Sequence, residues 1–402
     1  MTTEQPALAG VRIIDMTTVV AGPSATQTLA DYGAEVIKIE APGGDTTRYT
    51  GPTLEPGMAS LYLGSNRNKK SVLLDLKDPE AVIALRALCE GADVFIHNVR
   101  PQKLAGLGIS AEVMRGRNPR LIFVGLHGFG EEGPYAGRPA YDDIIQALSG
   151  VADLNRRHMG EMRYMPTIVA DKVAGQMAVH ATLAALFQRE RTGVGQTVEV
   201  PMYEAMVQFL LVEHLNARQL IDPAGDPPAR AEDLAYARTS APWRKPFRTR
   251  DGYVCLLPYS DRDWRKFFIE VGCAETADDP RFVSVAERAR NVAELYELLG
   301  GILQSEQTSH WLAVGERLGI ACAPVQRLED LESDPHLTAV DMFPSLPMGE
   351  WTMRAVRSPV RMERSQVAPT APPRLGEHTG SVLRAAGISE TIISRLVKGI
   401  RQ

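Results

Sequence analysis

The chain has 402 residues, of which 44% are apolar and 23% charged, the mix of a globular protein with material for two or three domains. A net charge of −5 argues against a phosphate backbone as partner, and no apolar run approaches the roughly 18 residues of a membrane span. With no signal-peptide pattern at the N-terminus, a cytoplasmic protein without nucleic-acid or membrane partners is expected. Four scattered cysteines (Cys89, Cys255, Cys273, Cys322) show no CxxC spacing and eight histidines no HExxH, so the reading is reduced thiols and no metal site.

Val11–Asp15 is a short β-branched run, followed after Ala21-Gly-Pro23 by a helical stretch, Ser24–Tyr32, that Gly33 breaks. Glu35–Glu40 and Ser71–Asp75 read as strands. Asp78 is positioned to cap a helix running to Cys89, with Pro79 at its first position. Ala92–Ile96 and Leu121–Gly125 are two further apolar strands. Strands alternating with helices of about ten residues indicate βαβ units and a doubly wound, Rossmann-like parallel sheet. Ligands of such sheets bind in the loops after the strands, here Thr17–Pro23, Ala41–Arg48, His97–Pro101 and Leu126–Gly137. None of these loops carries GxGxxG or a P-loop lysine, which disfavours a dinucleotide or a nucleoside triphosphate.

Asp171 follows the apolar run Ile168–Ala170 and precedes an Ala-rich helix, Val173–Phe187. A carboxylate at such a junction ordinarily caps the helix, and the first-turn N–H groups help keep it ionised. Beyond a helix ending near Asn216, the Pro-rich stretch 221–228 reads as a linker. A hairpin follows over Pro246–Leu257, turning at Asp251-Gly252, then helices Asp261–Glu270, Asn291–Leu299 and Ser309–Leu318 and a strand-like run, Ala321–Val325. The expected layout is a large α/β domain over 1–215, a linker over 216–228, a small α+β domain over 229–330, and a return segment over 331–402. The last ends in a helix, Gly380–Gly399, packed on the large domain.

Leu8-Ala-Gly-Val-Arg-Ile-Ile-Asp15, Val20-Ala-Gly-Pro23, Gly33–Glu40, Asn66–Lys77, Asn98-Val-Arg-Pro101, Gly128-Phe-Gly130, Arg138–Asp142, Arg191–Gln196, Met202-Tyr-Glu204 and Leu375–Thr379 occur in that order around the Asp171 segment. Together they resemble the family III coenzyme A transferases, whose relatives include the α-methylacyl-CoA racemases. The resemblance covers most of residues 8–215 and the C-terminal tail and is weak between about 225 and 330. It implies an interlocked homodimer of ring-like chains. It also implies a substrate pair of acyl-CoA and a small carboxylic acid, with coenzyme A as substrate and no tightly bound cofactor.

The resemblance further implies that Asp171 is the nucleophile, passing through an aspartyl anhydride and an aspartyl-CoA thioester. Coenzyme A is then expected against Val19, Val20 and Ala21, against Leu74 and Lys77, against Asn98, Val99 and Leu107, and near Arg138. Ala41 stands where a basic phosphate contact is often found, so Arg48, Lys69, Lys70, Arg100 and Lys103 are candidates to replace it. Tyr141 occupies the position of the racemases' histidine, which makes racemization the second reading and a catalytically silent acyl-CoA-binding protein the third. A carboxylate near its reference pKa of about 3.9 is ionised at neutral pH and needs no base. The Gly125–Gly137 loop, with His127, Gly128 and Gly130, could offer amides to an oxyanion. Arg244 and Arg248, in a basic stretch of the small domain, could bind the second carboxylate of a dicarboxylic acid.

Overall fold

The computed structural model describes residues 5–221 and 234–398. Six strands form one parallel sheet: β1 (Arg12–Met16), β2 (Glu35–Glu40), β3 (Lys69–Leu73), β4 (Val94–His97), β5 (Ile122–His127) and β6 (Thr197–Pro201). Their order, β3-β2-β1-β4-β5-β6, reverses direction between β1 and β4. Ile14 pairs with Ile37 on one side and with Phe95 on the other. Both faces of the sheet are covered. Ile14, Phe95 and Phe123 pack with helix Pro79–Glu90 and the C-terminal helices; Ile13, Val94, Ile96 and Val124 pack with helix Ala21–Asp31 and the long helix Val169–Thr192.

β6 has no counterpart in the sequence reading. It is an edge strand with alternating exposure and a terminal proline, features an edge tolerates and a hydrophobic-run search passes over. The helix carrying Asp171 starts at Val169, not Val173, and runs to Thr192, where Gly193 in the left-handed region (φ 75°) ends it. The run Ile168–Ala170 is therefore the helix entry. The C-terminal segment is two helices, Thr379–Ala385 and Glu390–Lys398, separated around Gly387 (φ 79°).

Two compact units emerge, Met1–Ser149 with Met165–Phe209 and Pro335–Gln402, and Gly150–Tyr164 with Leu210–Asp334. The expected continuous domain over 1–215 is thus interrupted, because the helix Val151–Met159 packs with Ala237–Ser240 of the smaller unit. Residues 222–228 of the expected linker, 229–233 of the expected small domain and Gly399 lie outside the described residues. The smaller unit has a three-stranded antiparallel sheet, β7 (Phe247–Arg248), β8 (Tyr253–Leu257) and β9 (Ala321–Pro324), in that order. Its core is aromatic, with Trp264, Phe267, Phe268 and Trp311 buried and the Trp311 Nε1–H donating to the Leu303 carbonyl at 2.8 Å.

Candidate active site

The carboxyl ends of β1, β4 and β5 open into a cavity of about 320 Å³ in the larger unit, at the point where the strand order reverses. After β1 the chain turns through Val19, a β-branched residue held at φ 72°. The Val19 N–H donates to Asp45 Oδ1 at 3.2 Å, and Asn98 after β4 clasps Thr18, donating to its carbonyl (2.8 Å) and accepting from its N–H (3.1 Å). These bonds fix the two loops that flank the reversal.

Beneath the first loop lies a set of buried ions. Asp15 accepts from Lys69 Nζ at 3.1 Å and from Thr26 Oγ1 at 2.6 Å. Lys38 Nζ donates to the Thr17 carbonyl (2.8 Å) and to Asp45 (3.0 Å), and Arg48 grips both oxygens of Glu40 at 2.8 and 2.7 Å. Burial alone would raise Asp15, but Lys69 and Lys38 pull its pKa down to about 2. Lys69, lowered by the same burial, still sits at about 8 and remains a cation at neutral pH. Arg48 and Lys69 are therefore internal scaffold, not phosphate contacts, and Lys70 pairs with Glu35 at 2.6 Å. Of the basic candidates, Arg100 lines the cavity.

Asp171 lines the same cavity from the first turn of its helix and is itself only 8% exposed. That helix lies close against helix Ala21–Asp31: a Cβ added to Gly175 would stand 2.8 Å from the Ala21 carbonyl oxygen and 2.7 Å from Ser24 Oγ. The helix has no cap of its own at Ile168. Asp142 serves instead, its Oδ1 accepting from the N–H of Ala170 (2.7 Å) and of Asp171 (3.2 Å), while the Val169 N–H goes to the Thr167 carbonyl at 2.8 Å. The expectation that first-turn amides hold Asp171 near its ordinary pKa is overturned. Those amides serve Asp142, and burial, then the Asp142 charge, push Asp171 up to about 6. A value near 6 still leaves the carboxylate form in the majority at neutral pH.

Val19, Ala21, Asn98 and Arg138 reach the cavity, as do His127, Gly128 and Tyr141, the last on its exposed rim. Val20 is buried at the start of its helix, Leu74 is buried after β3, and Val99 and Leu107 pack partly buried on the same core as Leu74. Lys77 is exposed, its backbone N–H on Asp75. Gly130 does not line the cavity: its N–H is bound to Glu204 Oε1 (3.0 Å), and the Glu131 N–H to Glu199 (2.7 Å). Those two amides are not free for an oxyanion. Burial lowers the His127 pKa against the pull of Glu131 and Glu199, and its ring stands 5.5 Å from the buried His97 ring. Arg244 and Arg248 are exposed residues of the smaller unit. Among the described residues, no cluster of three or more His, Cys, Asp or Glu could hold a metal ion, and no helix is long and apolar enough to cross a membrane.

The model of CoA-transferase family III matches residues 8–379. The chain belongs to that family. Its family III relatives include the "Probable fatty acyl-CoA transferase Rv3272" of Mycobacterium tuberculosis, 33% identical over 95% of this chain and 99% of that protein. The succinate–glutarate CoA-transferase of Agrobacterium fabrum is 33% identical over 95% of this chain and 96% of its own length. The crystal structure of the mycobacterial protein superimposes with a TM-score of 0.80 at 31% identity, covering 94% of this chain and 99% of that one. This family III chain is accordingly a CoA-transferase with a mixed α/β fold built on a six-stranded parallel sheet. Sequence reasoning passed over Asp142 as a partner of Asp171. The two lie 29 residues apart, and no local spacing links a cap to so distant a helix.

Proposed function

We propose that Asp171 is the nucleophile that moves coenzyme A from an acyl-CoA to a free carboxylic acid. One observation carries this reading: a buried carboxylate that, among the described residues, has no paired cation and no donor from its own helix faces the cavity at the sheet's reversal point. An Asp171 oxygen attacks the thioester carbonyl carbon, the C–S bond breaks, and coenzyme A leaves as thiolate with the bonding pair, giving a mixed anhydride. The thiolate then attacks the aspartyl carbonyl and releases the donor acid, leaving an aspartyl-CoA thioester. The acceptor carboxylate repeats the two steps in reverse, and no proton is required. Binding energy from the long coenzyme A arm would hold the weak nucleophile on its target. Val19, Val20, Ala21, Asn98 and Val99 are the proposed contacts along the arm, with Leu74, Lys77 and Leu107 toward the adenine. Arg138 and Arg100 would serve the pyrophosphate, and the Gly128 and Phe129 amides the oxyanion.

The acceptor we favour is a small dicarboxylate, supported by the relative named for succinate and glutarate, and the chain would work as a homodimer. A relative of equal identity is named for fatty acyl groups, so a panel of acids is the deciding assay. Racemization is the weaker reading because Tyr141, a phenol of reference pKa near 10, stands where an imidazole would shuttle the proton. The expected outcome is borohydride or hydroxylamine trapping at Asp171 in the presence of acyl-CoA, loss of transfer in Asp171→Asn, and negligible α-deuterium in a 2-methylacyl-CoA incubated in deuterated water. Full turnover by the Asn variant would sink the nucleophile, and rapid exchange without an acceptor acid would promote the racemase.

A further inference from the structure

The Asp171 helix begins with its amides committed elsewhere. Asp142 Oδ1 takes two of them, and Asp142 Oδ2 accepts from Gln146 Nε2 at 2.6 Å. Gln146 in turn holds the strand of chain leading to the helix, accepting from the Met165 N–H (2.9 Å) and donating to the Thr167 carbonyl (3.2 Å). Asp142 is buried and anchored on both oxygens, so its place beside the helix start is fixed. A first-turn carboxylate normally gains hydrogen bonds and positive potential from these amides, and both gains weaken it as a nucleophile.

We propose that Asp142 is a positioning residue that withholds the helix amides from Asp171 and sets a second negative charge beside it, making Asp171 a stronger nucleophile than an ordinary aspartate. The inference rests on the reading of Asp171 as nucleophile. A carboxylate expelling a thiolate of much higher basicity works uphill, so any gain in its basicity lowers the barrier, provided it stays ionised at the working pH. The raised position of Asp171 near 6 meets both conditions. Among the described residues, no cation is paired with Asp171. Lys172 on the same helix is exposed with its Nζ on Thr167 Oγ1 (2.6 Å), Arg138 stacks on the Tyr135 ring at 4.4 Å, and Asp143 beside Asp142 is exposed. Arg100 and Glu131 line the same cavity, but Asp142 alone is the charge that shifts Asp171.

Asp142→Asn tests this, because its amide oxygen can keep the cap while the charge is removed and the bond from Gln146 Nε2 is given up. The acid limb of kcat/KM should move down by about one pH unit, kcat on the plateau should fall on the order of tenfold, and KM for acyl-CoA should stay within about twofold. Asp142→Glu, which keeps the charge, should restore the acid limb toward that of the wild type. The carboxyl ¹³C resonance of Asp171, assigned by its loss in Asp171→Asn, gives the titration without turnover. A midpoint at the ordinary carboxylate value in the wild-type protein, or one unmoved in Asp142→Asn, would overturn the proposal even if Asp171→Asn is inactive. Turnover by Asp171→Asn would instead remove the reading beneath it. Should Asp142→Asn fail to fold, Asp142→Ser, which keeps a capping oxygen without the charge, takes its place in the same titration.

Discussion

Two flanks of one sheet edge treat buried carboxylates in opposite ways. At the ends of β1 and β2, Asp15, Asp45 and Glu40 are buried against Lys69, Lys38 and Arg48, and each carboxylate is held below its ordinary pKa. Across the reversal point Asp171 is also buried, yet its charged neighbour is Asp142, and its pKa rises. Burial raises all of these carboxylates; the partner decides the outcome. Paired ions shape the loop that carries Val19, whereas the carboxylate without a paired cation is the one proposed as nucleophile. The contrast separates scaffold from chemistry more sharply than burial or residue type alone.

The largest effect should come from breaking the paired flank. Lys69→Met leaves Asp15 buried without its partner, and removing one member of a buried pair costs about 3–5 kcal/mol. The loss should appear as a lowered urea midpoint of the larger unit at pH 7. Because Asp15 is depressed in the folded state, its contribution is present above its unfolded pKa near 3.8 and is lost as pH falls toward about 2. The difference between wild type and variant should therefore narrow across that window. An unchanged midpoint at pH 7 would mean that the ion pairs do not hold the loop.

Much of the framework was legible because it is local. The bounds of β2 and of helix Asp261–Glu270 follow from the sequence without change, and Asp78 caps its helix by accepting from the Glu80 N–H at 2.9 Å. In helix Asp261–Glu270 the Ser260–Asp263 capping box writes the start into four residues. What escaped is set by distant chain. Arg48 and Lys69 read as candidate phosphate contacts because their carboxylate partners, Glu40 and Asp15, come from β2 and β1. The Asp171 helix begins four residues early because Asp142 supplies a cap that Ile168 cannot. The chemical character of Asp171 was out of reach for the same reason.

A smaller effect is expected where the two flanks touch. Gly175 lets the Asp171 helix rest on Ala21, whose own helix starts from the paired flank. In Gly175→Ala the new Cβ meets backbone oxygen, which cannot rotate away as a side chain could, so the helices must part. Overpacking of this kind costs about 1–3 kcal/mol. A displacement of about 1 Å in a positioned nucleophile can cost on the order of a hundredfold in rate. Circular dichroism melts and kcat on the same preparation check both. A destabilised variant with full kcat would show that the Asp171 position is set elsewhere, by Asp142 or the loop before it.

The last effect, on stability alone and no larger than the one before, has the opposite sign and is the most direct probe of the unpaired flank. Asp171 is raised in the folded state to about 6 from an ordinary 3.8, so the native protein holds its proton more tightly than the unfolded chain. Ionisation therefore opposes folding above pH 6, and that cost fades as pH falls toward 4. Asp171→Asn removes it. The Asn variant should be more stable than the wild type at pH 7.5 by about 1–3 kcal/mol, the upper end being the full free-energy equivalent of the shift and the lower end allowing for relaxation and water entry. The gain should shrink to nothing near pH 4, the reverse of the trend for Lys69→Met, whose deficit also narrows in acid but starts as a loss. Parallel urea titrations at pH 7.5, 6 and 4.5 measure it. A variant less stable than the wild type at pH 7.5 would mean that Asp171 gains more from its surroundings than burial and Asp142 take away, and the contrast between the flanks would fail.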